Sequence, residues 1–338
     1  MKRTLLYCAV LALAAGSVAP ATHGQVNGDA KPTADARHWL QRMVQSAQTL
    51  SYEGTFIYVQ GPHIEAMRIV HGSGPDGQRQ RLFSLNGAPR EILVANNGVT
   101  CLLPEQKARF PGADYRGSPF LPAIPQDLDR LEQYYDLRSL GEDRVAGLDA
   151  QVIAIKPRDG WRYGYRLWLD RRNGIVLRSA LLDEHEHPVE QLMFTDLQLK
   201  PAIDEASLQS PALPAVESAA LPPPAEQAAG ETVTQSPWRV EPLPAGFVKV
   251  LHNRTSPAVA GRAGSEHMVF ADGLATVSVF LEALQEGATP LLQGESRLGL
   301  MNAYGTVVDG HQVLVVGEVP AVTVQRIAAA LHRDPAEK

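Results

Sequence analysis

Hydrophobic positions between residues 35 and 50 recur three and four apart: Trp39 and Leu40, Met43 and Val44, Ala47, Leu50. That spacing predicts an amphipathic helix with one apolar stripe. At Tyr52 the period changes to two. Over residues 52–60, Phe56 and Tyr58 fall on one face and Thr55, Ile57 and Val59 on the other, the signature of a strand. Alternating or short apolar runs predict further strands at 64–71, 78–85, 90–95, 99–103, 135–140, 150–156, 163–170, 175–182 and 189–199. Pro75-Asp76-Gly77, Asn96-Asn97-Gly98, Ala146-Gly147 and Arg172-Asn173-Gly174 separate them. Asn97-Gly98 and Asn173-Gly174 favour the φ > 0 turns that join hairpins.

A run of hairpins predicts an antiparallel meander, and a long meander tends to curl. The expected architecture is therefore a half-barrel wrapping the N-terminal helix. Residues 104–134 interrupt it with a Pro-rich loop and a short helix at 126–134. After residue 237 a smaller α+β unit begins, with strands at 247–253, 266–271, 274–282, 301–308 and 311–317. Asp272-Gly273 reads as a tight turn. A last helix opens at Pro320, which suits a first turn, and carries Val324, Ile327, Ala328 and Leu331 on one face. The fold class is α+β.

Composition places the boundary. Residues 201–237 are rich in Pro, Ala, Ser, Gln and Glu and include Leu221-Pro222-Pro223-Pro224. Such a stretch buries too little apolar area to offset its ordering entropy and reads as a flexible linker. Domains are expected at 35–200 and 238–335. Residues 1–21 read as a secretory signal: Lys2 and Arg3, an apolar run from Leu5 to Ala15, then Ala19-Pro20-Ala21. The run falls short of the roughly 20 residues of a spanning helix. The mature chain is expected to be soluble and outside the cytoplasm. Cys8 lies inside the run, not after it, which argues against a lipoprotein site.

Cys101 is then the only cysteine left, so no internal disulfide can form. Its neighbours suggest a small buried residue in a strand. The net charge is −6, and the signal would remove two positive charges. An acidic chain with few basic clusters is a poor nucleic-acid binder. Arg79, Arg81 and Arg90 form the one loose basic group: a solvated face, or a seat for an anionic headgroup or an acidic partner.

Catalytic and metal motifs fail on context. Gly72-Ser73-Gly74-Pro75-Asp76-Gly77 matches G-x-G-x-x-G, but a β-turn and a strand follow where a phosphate site needs a helix. Asp183-Glu184-His185-Glu186-His187 gathers metal-ligand types between two strands, where a solvated hairpin tip is the better reading. No G-x-S-x-G and no local nucleophile–base pair occur. No enzyme, cofactor or metal is expected.

What remains is apolar surface. Phe56, Tyr58, Met67, Ile69 and Trp168 either pack as core or line a cavity for a lipid chain or hydrophobic peptide. Leu50-Ser51-Tyr52-Glu53-Gly54-Thr55-Phe56-Ile57-Tyr58-Val59-Gln60 after a helix, Met67-Arg68-Ile69-Val70-His71-Gly72, and Leu85-Asn86-Gly87-Ala88-Pro89-Arg90-Glu91 resemble the RseB/MucB family. Leu243-Pro244-Ala245-Gly246-Phe247 and the run Asp272-Gly273-Leu274-Ala275-Thr276-Val277-Ser278-Val279-Phe280 resemble it in the second domain. The resemblance spans nearly all of the mature chain.

It implies a periplasmic negative regulator of an envelope-stress sigma factor. Such a protein binds the periplasmic part of a membrane-spanning anti-sigma factor, shields it from proteolysis, and releases it on sensing lipid or lipopolysaccharide fragments. The large domain would be a half-barrel similar to the lipoprotein carriers LolA and LolB. Phe247, Asp272, Gly273, Leu274 and Phe280 are carried over as family-motif positions in the partner-binding domain. The alternative is a periplasmic lipid or lipoprotein carrier, which would not need the second domain. A homo-oligomer stays open.

Overall fold

The structure, a computed structural model, describes residues 33–74, 77–95, 98–102, 107–110, 124–125, 127–211, 231–233, 236–254, 265–285 and 287–334. The signal-like residues 1–21, the Pro75-Asp76 and Asn96-Asn97 positions and the Cys101 side chain lie outside them.

The first helix, α1, runs Thr33–Thr49. Ala36, Trp39, Leu40 and Met43 are its buried apolar residues. They follow the i, i+3, i+4, i+7 pattern that puts side chains on one face. Strands β1 (Ser51–Gln60), β2 (His63–Gly74), β3 (Gly77–Ser84), β4 (Glu91–Ala95), β5 (Gly98–Leu102) and β6 (Lys107–Phe110) follow. A second set comprises β7 (Tyr135–Val145), β8 (Leu148–Pro157), β9 (Gly164–Asp170), β10 (Val176–Leu182) and β11 (Pro188–Lys200).

These strands form one antiparallel sheet in the order β6-β5-β4-β3-β2-β1-β11-β10-β9-β8-β7. The expected continuous meander is corrected here. There are two meanders, and the first strand of the chain pairs with the last, from Ser51↔Lys200 to Gln60↔Glu190. Strands β6 and β7, consecutive in sequence, stand at opposite edges of the open sheet. Local turn signals cannot reveal a pairing over 130 residues. Strand β6 also lies within the stretch read as loop. Helix α2 is Leu128–Tyr134, with Asp127 accepting from the amides of Asp129 and Arg130 at 3.1 Å.

One face of β7–β9 packs under α1 and α2. Tyr135, Leu137, Ile153, Ile155, Leu167 and Leu169 meet Ala36, Trp39, Leu40, Met43, Leu128 and Leu131 there. Residues 201–211, at the start of the proline-rich stretch, turn back on the sheet as α3 (Glu205–Leu208). Leu208 lies close enough that a Cβ on Gly72 would meet it at 3.2 Å. Residues 212–230 lie outside the described set.

The second unit contains β12 (Glu231–Thr232), β13 (Trp238–Val240), β14 (Val248–Arg254), β15 (Ser265–Ala271), β16 (Thr276–Ala283), β17 (Gly294–Leu298), β18 (Met301–Val308), β19 (His311–Gly317), α4 (Ala321–Ala330) and β20 (Leu331–Arg333). Its main sheet runs β12-β14-β15-β16-β19-β18-β17. Alternation puts Met268, Phe270, Val277, Val279, Leu281, Val313 and Val315 on the face that α4 covers with Val324, Ile327 and Ala328. Pro320 caps α4 from outside rather than sitting in its first turn. Leu331, expected on the helix face, opens β20 and pairs with Val240. Among the described residues no helix is long and apolar enough to cross a membrane.

Candidate functional site

The two units meet along a seam organised by one loop. Residues 158–163 connect β8 to β9, and Asp159 folds the loop by accepting from the Trp161 amide at 3.0 Å. Asp159 also takes the Nε and Nη2 groups of Arg162 at 3.0 and 3.1 Å. Arg162 then reaches into the second unit. Its Nη1 donates to Asp272 Oδ2 at 2.6 Å, and its Nη2 donates to the Ala245 carbonyl. The guanidinium lies 5.1 Å from the Tyr134 ring centre and 5.2 Å from that of Phe247. Tyr135 donates to the same Asp272 oxygen at 2.9 Å. The other oxygen of Asp272 accepts from the Leu274 and Ala275 amides at 2.9 and 2.7 Å. Both charged side chains are 0% exposed. A buried pair this fully bonded meets the condition under which burial of charge is tolerated.

Apolar side chains are exchanged across the seam. Leu274 packs against the α1–α2 core of the first unit, and Trp161 packs against the core of the second. Tyr163 and Leu181 cluster with Leu300. Asn302 donates to the Tyr163 hydroxyl at 3.1 Å, and Thr323 donates to the Trp161 carbonyl at 2.7 Å. Beside this contact an open cleft of about 260 Å³ separates the units. Tyr135, Tyr165 and Leu181 line one wall; Leu274, Met301 and Val316 line the other. Glu318 stands on the second wall. In the first unit Tyr58 donates to Glu190 at 2.6 Å. Burial holds Glu190 above the usual carboxylate range, and the charge of Glu318 adds to the shift.

The cleft opens onto the face of the second sheet that α4 leaves uncovered. Register places His267 opposite Phe280 and Phe280 opposite Leu314, with Ser278 opposite Val316. Phe280 is 38% exposed and stacks on His267 at 4.3 Å. Val316 and Ser278 belong both to this face and to the cleft wall. The result is an apolar strip continuous with the cleft.

The sequence candidates fall into separate places. Phe56, Met67, Ile69 and Trp168 belong to one buried cluster with Tyr52, Leu82, Leu192 and Phe194. Trp168 alternates with Leu167 and Leu169, so it points away from α1. Arg178 covers its ring at 4.2 Å, and Asp143 accepts from its Nε1 at 2.7 Å. Tyr58 packs at the margin of the cluster and bonds to Glu190. Phe247 is buried beneath Arg162. Asp272 holds the seam, and the backbone of Gly273 beside it has φ +113°. The turn there spans Asp272–Ala275 rather than two residues, because the Asp272 side chain caps its amides. Leu274 lines the cleft. Phe280 is on the open strip.

The three arginines of the loose basic group are paired within the domain. Arg79 pairs with Glu205, Arg81 with Glu91 at 3.1 Å, and Arg90 with Glu65. The anionic-headgroup reading loses its free cations. Asp183 accepts from the His185 and His187 amides at 2.9 and 2.8 Å, so it shapes the hairpin tip. Among the described residues no group of three or more His, Cys, Asp or Glu converges on a metal position.

Arg162, Tyr135 and Tyr163 were not singled out in the sequence. The signal available was an arginine flanked by Trp161 and Tyr163 in a six-residue hairpin connection, longer and more aromatic than a turn requires. Glu190 and Glu318 carry no local signal.

Comparison with known proteins matches residues 35–212 to the MucB/RseB N-terminal domain and residues 232–332 to the MucB/RseB C-terminal domain. The chain is 34% identical over 316 residues to the sigma factor AlgU regulatory protein MucB of Pseudomonas aeruginosa, covering 91% of this chain and 94% of that one. It is similar to the P. aeruginosa MucA/MucB complex structure with TM-score 0.69 and 32% identity, over 89% of this chain and all of that one. Against a crystal structure of MucB, the TM-score is 0.59 at the same 32% identity, over 89% of this chain and 99% of that one.

Proposed function

The chain belongs to the MucB/RseB family, and we propose that it is a periplasmic negative regulator that binds the periplasmic part of a membrane-spanning anti-sigma factor. The observation that carries this reading is the apolar strip through Val316, Leu314 and Phe280, continuous with the interdomain cleft. Open apolar surface rimmed by polar groups suits a protein segment. Two domains offering adjoining contacts hold an extended segment more firmly than either alone. Covering that segment removes it from proteases.

Lipid or a lipopolysaccharide fragment acts as the releasing signal. The residues that would line its site, Phe56, Met67 and Ile69, are sealed here as core. Entry of an acyl chain therefore requires this cluster, which lies on the sheet face away from α1 and α2 at Trp168, to open. Occupancy by lipid and by partner then weaken one another by the same factor.

The test is titration of the intact protein with the purified periplasmic segment of the anti-sigma factor from the same cell, followed by exposure to protease. Binding with protection of the segment supports the reading. A folded protein that neither binds nor protects the segment rules it out. Native mass spectrometry of protein purified from its own compartment tests for retained lipid.

A further inference from the structure

We propose that Arg162, Asp272 and Tyr135 form a latch that holds the two domains in the arrangement able to receive the partner, and that Arg162 and Asp272 act as positioning residues for partner binding. The inference rests on the reading of the cleft and strip as the partner's site. Three observations carry it.

The first is geometric. One carboxylate oxygen of Asp272 takes both interdomain donors, Arg162 Nη1 at 2.6 Å and Tyr135 Oη at 2.9 Å. The other oxygen caps the turn that presents Leu274 and Ala275 to the cleft. The latch and the cleft wall are one piece of structure, so their states are tied. The second is connectivity. Tyr134 and Tyr135 join α2 to β7, and Leu274 enters the core that α1 and α2 cover. Any movement of α2 away from that core pulls Tyr135 from Asp272 and uncovers Leu274. The latch is therefore the element through which a change under the helices reaches the second domain. The third is overall likeness. The chain superposes on MucA-bound MucB with TM-score 0.69 and on another MucB structure with 0.59, at equal identity. As a whole chain it is more similar to the MucA-bound structure.

Arg162 and Asp272 have no exposed surface and cannot touch a partner while the latch is closed. Their influence must pass through domain arrangement. If only a fraction of molecules is latched, apparent affinity falls by that fraction. The fall appears in the association rate, because the bound complex is unchanged. A residue that contacts the partner would raise the dissociation rate instead.

The experiment uses the intact chain and two variants. Asp272→Asn keeps the shape and the turn caps but removes the charge. Tyr135→Phe removes one hydrogen bond and serves if the first variant folds poorly. Small-angle scattering reports domain separation, circular dichroism reports the fold of each domain, and surface binding kinetics report the anti-sigma segment. The expected result is a broader distribution of domain separations with unchanged circular dichroism. The association rate should fall at least fivefold for Asp272→Asn, with the dissociation rate unchanged within twofold. Unchanged scattering in both folded variants overturns the latch. Broadened scattering with an unchanged association rate overturns the positioning role. A wild-type protein that does not bind the segment defeats the functional reading alone, because scattering still decides the latch.

Discussion

Arg162 and Asp272, 110 residues apart, form an ion pair at 2.6 Å with no exposure on either side. Removing one partner leaves the other charge buried, and that usually costs about 3–5 kcal/mol. Arg162→Met should lose stability of that order in urea denaturation of the intact chain. Combining it with Asp272→Asn should cost clearly less than the two single losses added. Strict additivity would mean that the pair is not coupled.

Gly246 faces Tyr134 across the same seam. Its φ is +86°, and a Cβ there would sit 2.8 Å from the tyrosine ring. Gly246→Ala meets both backbone strain and a clash, together about 1–3 kcal/mol. Thermal unfolding should show the loss. The Gly246→Ala, Tyr134→Ala double variant should recover the part due to the clash and keep the part due to φ.

Phe280 has the opposite character. The sequence alone left it as core or contact, and a core phenylalanine would cost about 3–5 kcal/mol on truncation to alanine. It is exposed and held mainly by the His267 ring, and a single aromatic pair contributes about 0.5–1.5 kcal/mol. Phe280→Ala should therefore keep stability within about 1.5 kcal/mol. Affinity for the anti-sigma segment should fall at least fivefold, as expected of an aromatic contact. Normal affinity in a folded variant would remove the strip from the site.

His71 stacks on Tyr52 at 4.9 Å and is almost wholly buried; neither ring nitrogen makes a hydrogen bond of good geometry. Burial lowers its pKa to about 4, partly opposed by the Ala47 carbonyl at the end of α1. The unfolded chain binds this proton near pH 6.5 and the folded one only near 4. Stability is thus full above pH 6.5 and declines as pH falls toward 4. The total is on the order of 3 kcal/mol. Urea denaturation at pH 7, 5.5 and 4.5 should show His71→Leu flattening this decline relative to wild type. Parallel pH profiles would show that His71 does not titrate as its burial implies.

Much of this was readable along the chain. The switch from a 3.6 to a 2.0 period at Tyr52 marked the end of α1 and the start of β1 to within two residues. The five predicted strands of the second domain all exist. What escaped were short strands without alternation, such as β6 and β17, and the pairing of β1 with β11. The site was half legible. The run from Asp272 to Phe280 carried both the seam and the strip. Nothing local separates Asp272, buried beneath an arginine from the other domain, from an aspartate that merely opens a turn.

Local periodicity and turn chemistry determine which segments are helix or strand, because those preferences act over a few residues. They also determine that the chain has two domains, since a proline- and alanine-rich stretch cannot build a core. Only the tertiary structure decides which apolar faces become core and which stay open. Phe56 and Phe280 occupy similar alternating strands, yet one is sealed and the other exposed. The difference lies in what packs against each face, and packing joins residues more than a hundred positions apart. For the same reason Arg162 became visible as the residue joining the domains only once Asp272 was beside it.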